Sequence, residues 1–284
     1  MRKVAKTVLA LGITMLMMVS LAYAVEIGPN PTSTILNRDG SFSVSSSSVS
    51  SLACGSGCAG GTVYYPSTSG QYAVIAVCPG YTNSKSAIAW FARRLATHGF
   101  VTIAMDTKSR FDFPNSRATQ LAAVLNYLVN SSSSTIRSRI RSADRGVSGY
   151  SMGGGGTLIA SEDDSTLKVG VGLAPYNSSS SFSRVRVPQM LLGGSSDSIA
   201  PVRTNALAFY NSIPSSTKKA FGEVRGESHL DFMDLDERTA RYGVAFAKRF
   251  ADGDTRYTPF LCGSEHTAYA TSTRFSDYRS NCPY

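Results

Sequence analysis

The chain has 284 residues, 42% of them hydrophobic and 17% charged, with a formal net charge of +9. That composition excludes a disordered chain, and the length suits one large α/β domain. The basic excess comes without a nucleic-acid recognition motif, so no nucleic-acid partner is expected.

The chain opens with Arg2, Lys3 and Lys6, continues in an apolar run over residues 7–22, and places Ala22 and Ala24 around Tyr23. A basic n-region, an apolar h-region and an A-x-A site predict a secretory signal peptide over 1–24. A membrane anchor is the competing reading, but the span is short and lacks a basic stop-transfer flank. Cleavage lowers the formal charge to +6 and leaves 25–284 as a single domain, expected to be secreted, unanchored and monomeric.

In the serine-rich stretch 41–61, Phe42 and Val44 alternate with serines, and with 62–66 this predicts a pair of edge strands. Further strands are predicted over 72–78, 100–105, 146–148, 169–174, 189–192 and 219–224. Helices are predicted over 85–98, 116–129, from the glycine-rich turn after 148 through Ala160, over 202–210 and over 236–250. Such βα alternation implies a mostly parallel sheet covered on both faces. Arg137, Arg139, Arg141 and Arg145 read as a solvated helix end.

Five cysteines in an exported chain cannot all pair internally. A bridge between Cys262 and Cys282 would tie down a polar, loop-rich tail and stabilise by roughly 3 kcal/mol. Cys54 and Cys58, around Gly55-Ser56-Gly57, can close a small loop, and Cys78 reads as a buried free thiol on a strand.

Gly149-Tyr150-Ser151-Met152-Gly153 matches G-x-S-x-G, a turn that exposes a nucleophilic serine between strand and helix. The competing reading is a plain glycine turn. A serine hydroxyl needs a base, and the chain offers His98, His229 and His266. His98 ends a helix and reads as a carbonyl cap, and His266 lies in the tail. His229 sits late in the chain in the polar loop Gly226-Glu227-Ser228, which assigns it the base. The acid should fall between serine and histidine in the chain. Asp163 and Asp164 come too soon, while Asp197 follows an apolar strand at the edge shared with Ser151. Glu227 is the runner-up. The amides of Met152 and Tyr81 are the expected oxyanion donors, the latter in Pro79-Gly80-Tyr81-Thr82. The histidines lack mutual metal-ligand spacing and no phosphate loop is visible, so neither metal nor cofactor is expected.

These stretches, together with residues 61–66, Ala89-Trp90, Gly99-Phe100-Val101, Ala174-Pro175-Tyr176, Asp197-Ser198-Ile199-Ala200-Pro201 and the Cys262/Cys282 pair, resemble the bacterial cutinase and polyester hydrolase family that includes the PET hydrolases. The resemblance implies an α/β-hydrolase fold, ester hydrolysis in a shallow cleft without a lid, and a substrate site lined by Tyr81, Thr82, Met152, Tyr176 and Ile199. There are departures. Tyr176 stands where the family usually has Trp, Tyr150 where His or Trp is common, and Phe113 where Gln is frequent. Leu230-Asp231 after His229 and the Cys54/Cys58 pair are also unusual. Polyester or small ester substrates are expected, with weaker action on PET. A triacylglycerol lipase or short-chain carboxylesterase would carry a lid or a deep acyl pocket, and no long apolar insertion supplies a lid. A catalytically silent binding protein would usually have lost the nucleophile or the base.

Overall fold

The computed structural model describes residues 25–284, so the predicted signal peptide lies outside the described residues. The serine-rich segment forms β1 (Val44–Val49), which pairs antiparallel with β2 (Gly61–Pro66). The apolar run Tyr-Ala-Val-Ile-Ala-Val-Cys forms β3 (Tyr72–Cys78), buried along its whole length as a parallel strand must be when helices cover both faces. Next come β4 (Val101–Met105), β5 (Ile140–Tyr150), β6 (Val169–Leu173), β7 (Gln189–Gly194) and β8 (Lys219–Val224). The strand β9 (Phe275–Ser280) closes the far edge, and the sheet order is β1-β2-β4-β3-β5-β6-β7-β8-β9. Pairing is parallel from β4 through β8 and antiparallel at both ends. This is the α/β-hydrolase fold.

Five longer helices cover the sheet: α1 (Ala89–Thr97), α2 (Pro114–Asn130), α3 (Met152–Asp163), α4 (Ala206–Ser212) and α5 (Glu237–Ala251). Phe91 and Leu95 of α1 join Tyr242 and Phe246 of α5 against Ile75, Val77, Val171 and Leu173 on one face. On the other, Leu121, Val124 and Leu128 of α2 pack on Val74, Ala76, Ile103 and Val147. Period 2 along β3 thus splits its side chains between two cores, while period 3.6 along α2 supplies the matching stripe.

The predicted elements appear with shifted ends, and two features depart from expectation. The strand β5 begins at Ile140, not at 146, because its first half carries Arg141, Asp144 and Arg145 at the sheet rim and shows no apolar pattern. Of the four arginines expected to form a solvated helix end, Arg137 does so, exposed at the end of the short helix Ser134–Arg137, whereas Arg141 and Arg145 belong to β5 and Arg139 precedes it. Arg141 is largely buried and bonds Asp144, Asp252 and the Gln71 carbonyl, and Arg139 lies over the Tyr65 ring. The strand β9 stands in the tail expected to be loop-rich, and its mixed burial explains why the sequence shows no strand pattern there, only Phe275 of Phe-Ser-Asp-Tyr-Arg-Ser being fully buried. Disulfides join Cys54 to Cys58 and Cys262 to Cys282. Cys78 is free and buried, and burial pushes its thiol up to about 11. Among the described residues no helix is long and apolar enough to cross a membrane.

The chain runs from β3 outward to β4 and then returns to the other side of β3 as β5. Loops leaving the carboxyl ends of β3 and β5 therefore diverge, opening the crevice where such sheets bind ligands. Tyr81 leaves β3 there, and Ser151 leaves β5.

Candidate active site

Ser151 joins β5 to α3 with φ 54° and ψ −120°, a conformation that non-glycine residues seldom adopt. It holds because the surroundings over-determine it. The Ser151 amide donates to Leu173 O at 2.9 Å, and its carbonyl accepts from Tyr176 N at 2.9 Å. The flanking glycines allow the close approach. A Cβ on Gly149 would stand 2.3 Å from the Gly153 carbonyl oxygen, and one on Gly153 would stand 2.3 Å from Cys78 O and 2.5 Å from Pro79 O. The elbow is thereby pressed against the exit of β3.

Asp197 follows β7 in a turn that fixes its carboxylate. Oδ1 accepts from the amides of Ile199 at 2.9 Å and Ala200 at 2.7 Å, and Oδ2 accepts from His229 Nδ1 at 2.7 Å. The opposite nitrogen, His229 Nε2, lies 2.9 Å from Ser151 Oγ. All three side chains are buried. The loop bearing His229 is tied down by Ser228 N donating to Asp231 Oδ2 at 2.7 Å and by Trp90 Nε1 donating to Phe232 O at 3.2 Å. Tyr150 sets its ring 5.1 Å from the imidazole. Burial and the nearby carboxylates of Asp197 and Asp231 raise its hydroxyl above the ordinary range, so it stays neutral. Glu227 is paired instead with Arg238.

The other histidines lie elsewhere. The ring of His98 donates to Arg38 O at 3.2 Å rather than to its own helix, whose end is capped by the His98 backbone amide. His266 lies in the tail, its Nδ1 sharing a hydrogen bond with Tyr242 Oη at 2.7 Å.

Met152 follows the nucleophile as the first residue of α3, and among the described residues the Tyr81 amide, three residues past β3, donates to no protein group. Thr82, at φ 63°, turns its hydroxyl onto Tyr81 O at 2.6 Å. Tyr176 is half-buried next to α3, and Ile199 is 57% exposed beside Asp197. Two aromatics that sequence reasoning did not place at the site join the rim. Phe111 and Phe113 are 62% and 66% exposed, with ring centroids 5.6 and 6.4 Å from that of Tyr81. Their signal was Phe-Asp-Phe-Pro, two aromatics in a loop with no periodic partner. Leu230, directly after His229, is a further exposed apolar side chain.

A buried Ser-His-Asp chain at a strand-to-helix elbow can deprotonate a hydroxyl for attack on a carbonyl. Residues 19–283 match the family described as PET hydrolase-like. The chain belongs to that family. It is 45% identical over 265 residues to Cutinase 1 of Thermobifida cellulosilytica, covering 93% of this chain and all of that protein. It is 43% identical over 281 residues to a cutinase of Thermobifida fusca, covering 99% of this chain and 92% of the relative. A bis(hydroxyethyl) terephthalate hydrolase of Streptomyces coelicolor is 42% identical over 262 residues, 91% of this chain and 82% of that one. In this PET hydrolase-like chain the two phenylalanines flanking Asp112 add exposed rings beside Tyr81.

Proposed function

We propose that the chain is a secreted, monomeric serine esterase that hydrolyses the carboxylic ester bonds of polyesters, with residues 25–284 as one catalytic domain. The observation that carries this reading is the unbroken hydrogen-bonded chain from Ser151 Oγ through His229 to Asp197 at a strained elbow. The relatives named cutinase and bis(hydroxyethyl) terephthalate hydrolase supply the substrate class. Two disulfides and the signal-like leader favour an oxidising destination.

Ser151 Oγ attacks the ester carbonyl as neutral His229 takes its proton at Nε2, and Asp197 holds the imidazole by Nδ1 and stabilises the cation that forms. The oxyanion lies between the amides of Tyr81 and Met152. Collapse expels the alcohol, which takes its proton from His229, and leaves an acyl-enzyme. Water activated by the same imidazole then releases the acid. The exposed rim of Tyr81, Phe111, Phe113 and Ile199, together with Thr82, Met152 and Tyr176 as further lining, suits a chain lying along the surface. Soluble esters and aliphatic polyesters are the expected substrates, with PET slower.

The test is turnover of p-nitrophenyl esters of several chain lengths, tributyrin, an aliphatic polyester and amorphous PET by the wild type and Ser151→Ala. The variant should lose several orders of magnitude with its fold intact. Near-normal turnover by Ser151→Ala would sink the mechanism, and a preference for long-chain triglyceride over every polyester would move the reading to a lipase.

A further inference from the structure

Arg117 lies in the first turns of α2 and is completely buried. Among the described residues no carboxylate stands within ion-pair distance of it. A buried guanidinium with no carboxylate in direct contact, Asp112 acting on it only at longer range, is disfavoured at the positive end of a helix by desolvation and by the helix dipole alike. What retains it is a convergence of main-chain carbonyls. Nε donates to Asp112 O at 2.8 Å, Nη1 to Pro79 O at 3.0 Å and Nη2 to Arg110 O at 3.0 Å.

Those acceptors belong to the two loops that shape the site. Pro79 precedes Gly80 and Tyr81, whereas Arg110 and Asp112 flank Phe111. The Arg110 carbonyl is doubly used, since it also accepts from Thr82 N at 2.8 Å. One planar cation therefore locks residues 79–82 and 110–112 in a fixed relation. The elbow closes the arrangement from the third side, because the space for a Cβ on Gly153 is taken by Pro79 O and that on Gly156 by Arg117 Cβ, 3.0 Å away. The Asp112 carboxylate is engaged elsewhere, accepting from Ser109 N at 3.0 Å and Gln120 Nε2 at 2.8 Å.

We propose that Arg117 is a positioning residue that aims the Tyr81 amide at the reacting carbonyl and sets the aromatic rim beside it. The inference rests on the reading of that amide as an oxyanion donor. Lysine cannot reproduce it, because a single ammonium lacks the rigid fork that reaches three carbonyls at once. Displacing one donor by about 1 Å is worth on the order of 100-fold in rate, without any change in ground-state binding.

The experiment compares wild type, Arg117→Lys and Arg117→Gln, each first shown to be folded by circular dichroism and melting. Arg117→Lys keeps the charge and the stem and carries the test if Arg117→Gln does not fold. Measured are kcat and KM on p-nitrophenyl butyrate and the inhibition constant of a trifluoromethyl ketone, whose tetrahedral adduct places an oxyanion at the donors. In Arg117→Lys, KM should stay within about twofold, kcat should fall about 10- to 100-fold, and the inhibition constant should rise by the same factor. A folded Arg117→Lys with kcat within threefold of wild type overturns the proposal. So does a fall in kcat with unchanged inhibitor affinity, which a merely structural role would produce. The underlying reading is tested separately by replacing the Tyr81 amide with a backbone ester through the corresponding hydroxy acid, which should cost about 100- to 1,000-fold in kcat. Full activity in the ester-containing enzyme removes the oxyanion assignment and the proposal with it, whereas loss there with none in Arg117→Lys removes the proposal alone.

Discussion

Replacing Asp197 by asparagine changes one atom, and the surroundings dictate how the new side chain must sit. The amides of Ile199 and Ala200 both point at Oδ1. An NH2 group in that place would leave these donors facing another donor, at a cost of about 1–3 kcal/mol for each group left unsatisfied. The amide oxygen therefore takes the Oδ1 position, and the NH2 group takes that of Oδ2, 2.7 Å from His229 Nδ1. Nδ1 must then accept, which moves the imidazole proton to Nε2, where it faces Ser151 Oγ. A base that already carries its proton cannot take another from serine. The expected loss is about 10⁴ in kcat, or about 5.5 kcal/mol of transition-state stabilisation, with KM and melting temperature little changed. Turnover of p-nitrophenyl butyrate and the rate of labelling by a fluorophosphonate should fall together. Asp197→Asn within tenfold of wild type would refute the reasoning, and if Glu227→Gln were the damaging change instead, the acid would be Glu227.

Tyr176→Ala should slow hydrolysis of an aliphatic polyester several-fold more than that of p-nitrophenyl acetate, because one aromatic contact is worth about 0.5–1.5 kcal/mol beyond its area. Equal losses on both would make Tyr176 a support of the elbow, whose Ser151 carbonyl it bonds. Gly153→Ala must push Cys78 O from 2.3 Å to at least 3.0 Å from the new carbon. It should cost about 1–3 kcal/mol of stability and on the order of 100-fold in kcat, and an active, unshifted variant would contradict the close approach. His98 is held neutral, its pKa lowered to about 4 chiefly by burial. Below about pH 6.5 the unfolded chain takes up a proton that the native one refuses, so stability falls by about 1.4 kcal/mol per pH unit until about pH 4, roughly 3 kcal/mol in all. The drop in denaturant midpoint from pH 7 to pH 4.5 should be smaller in His98→Gln than in wild type, and equal drops in both would exclude His98 as the source.

Residues with scarce chemistry were legible in the sequence. With three histidines in the chain and one glycine-flanked serine between strand and helix patterns, the order Ser151, Asp197, His229 followed from where each lies relative to an apolar strand. The sheet was legible where strands are buried on both faces, as in β3, since an apolar run is its direct signature. It was not legible in β9 or the first half of β5, where the pattern is polar and pairing with a distant strand makes the element. The same limit hid Arg117 and Phe111. An arginine early in a helix and a phenylalanine in a loop have ordinary surface readings, and their neighbours come from Pro79 and Tyr81, more than twenty residues away.

The two outermost strands bear on how molecules of this enzyme meet one another at high concentration. An open sheet ends in rows of unpaired amides and carbonyls, which invite another chain to add itself as the next strand. Here both margins are poor templates. Val-Ser-Ser-Ser-Ser-Val in β1 offers hydroxyls where a sticky strand would offer branched apolar groups, and β9 presents the ion pair of Asp277 and Arg279. A second molecule brought alongside thus finds little to extend at either margin of the sheet.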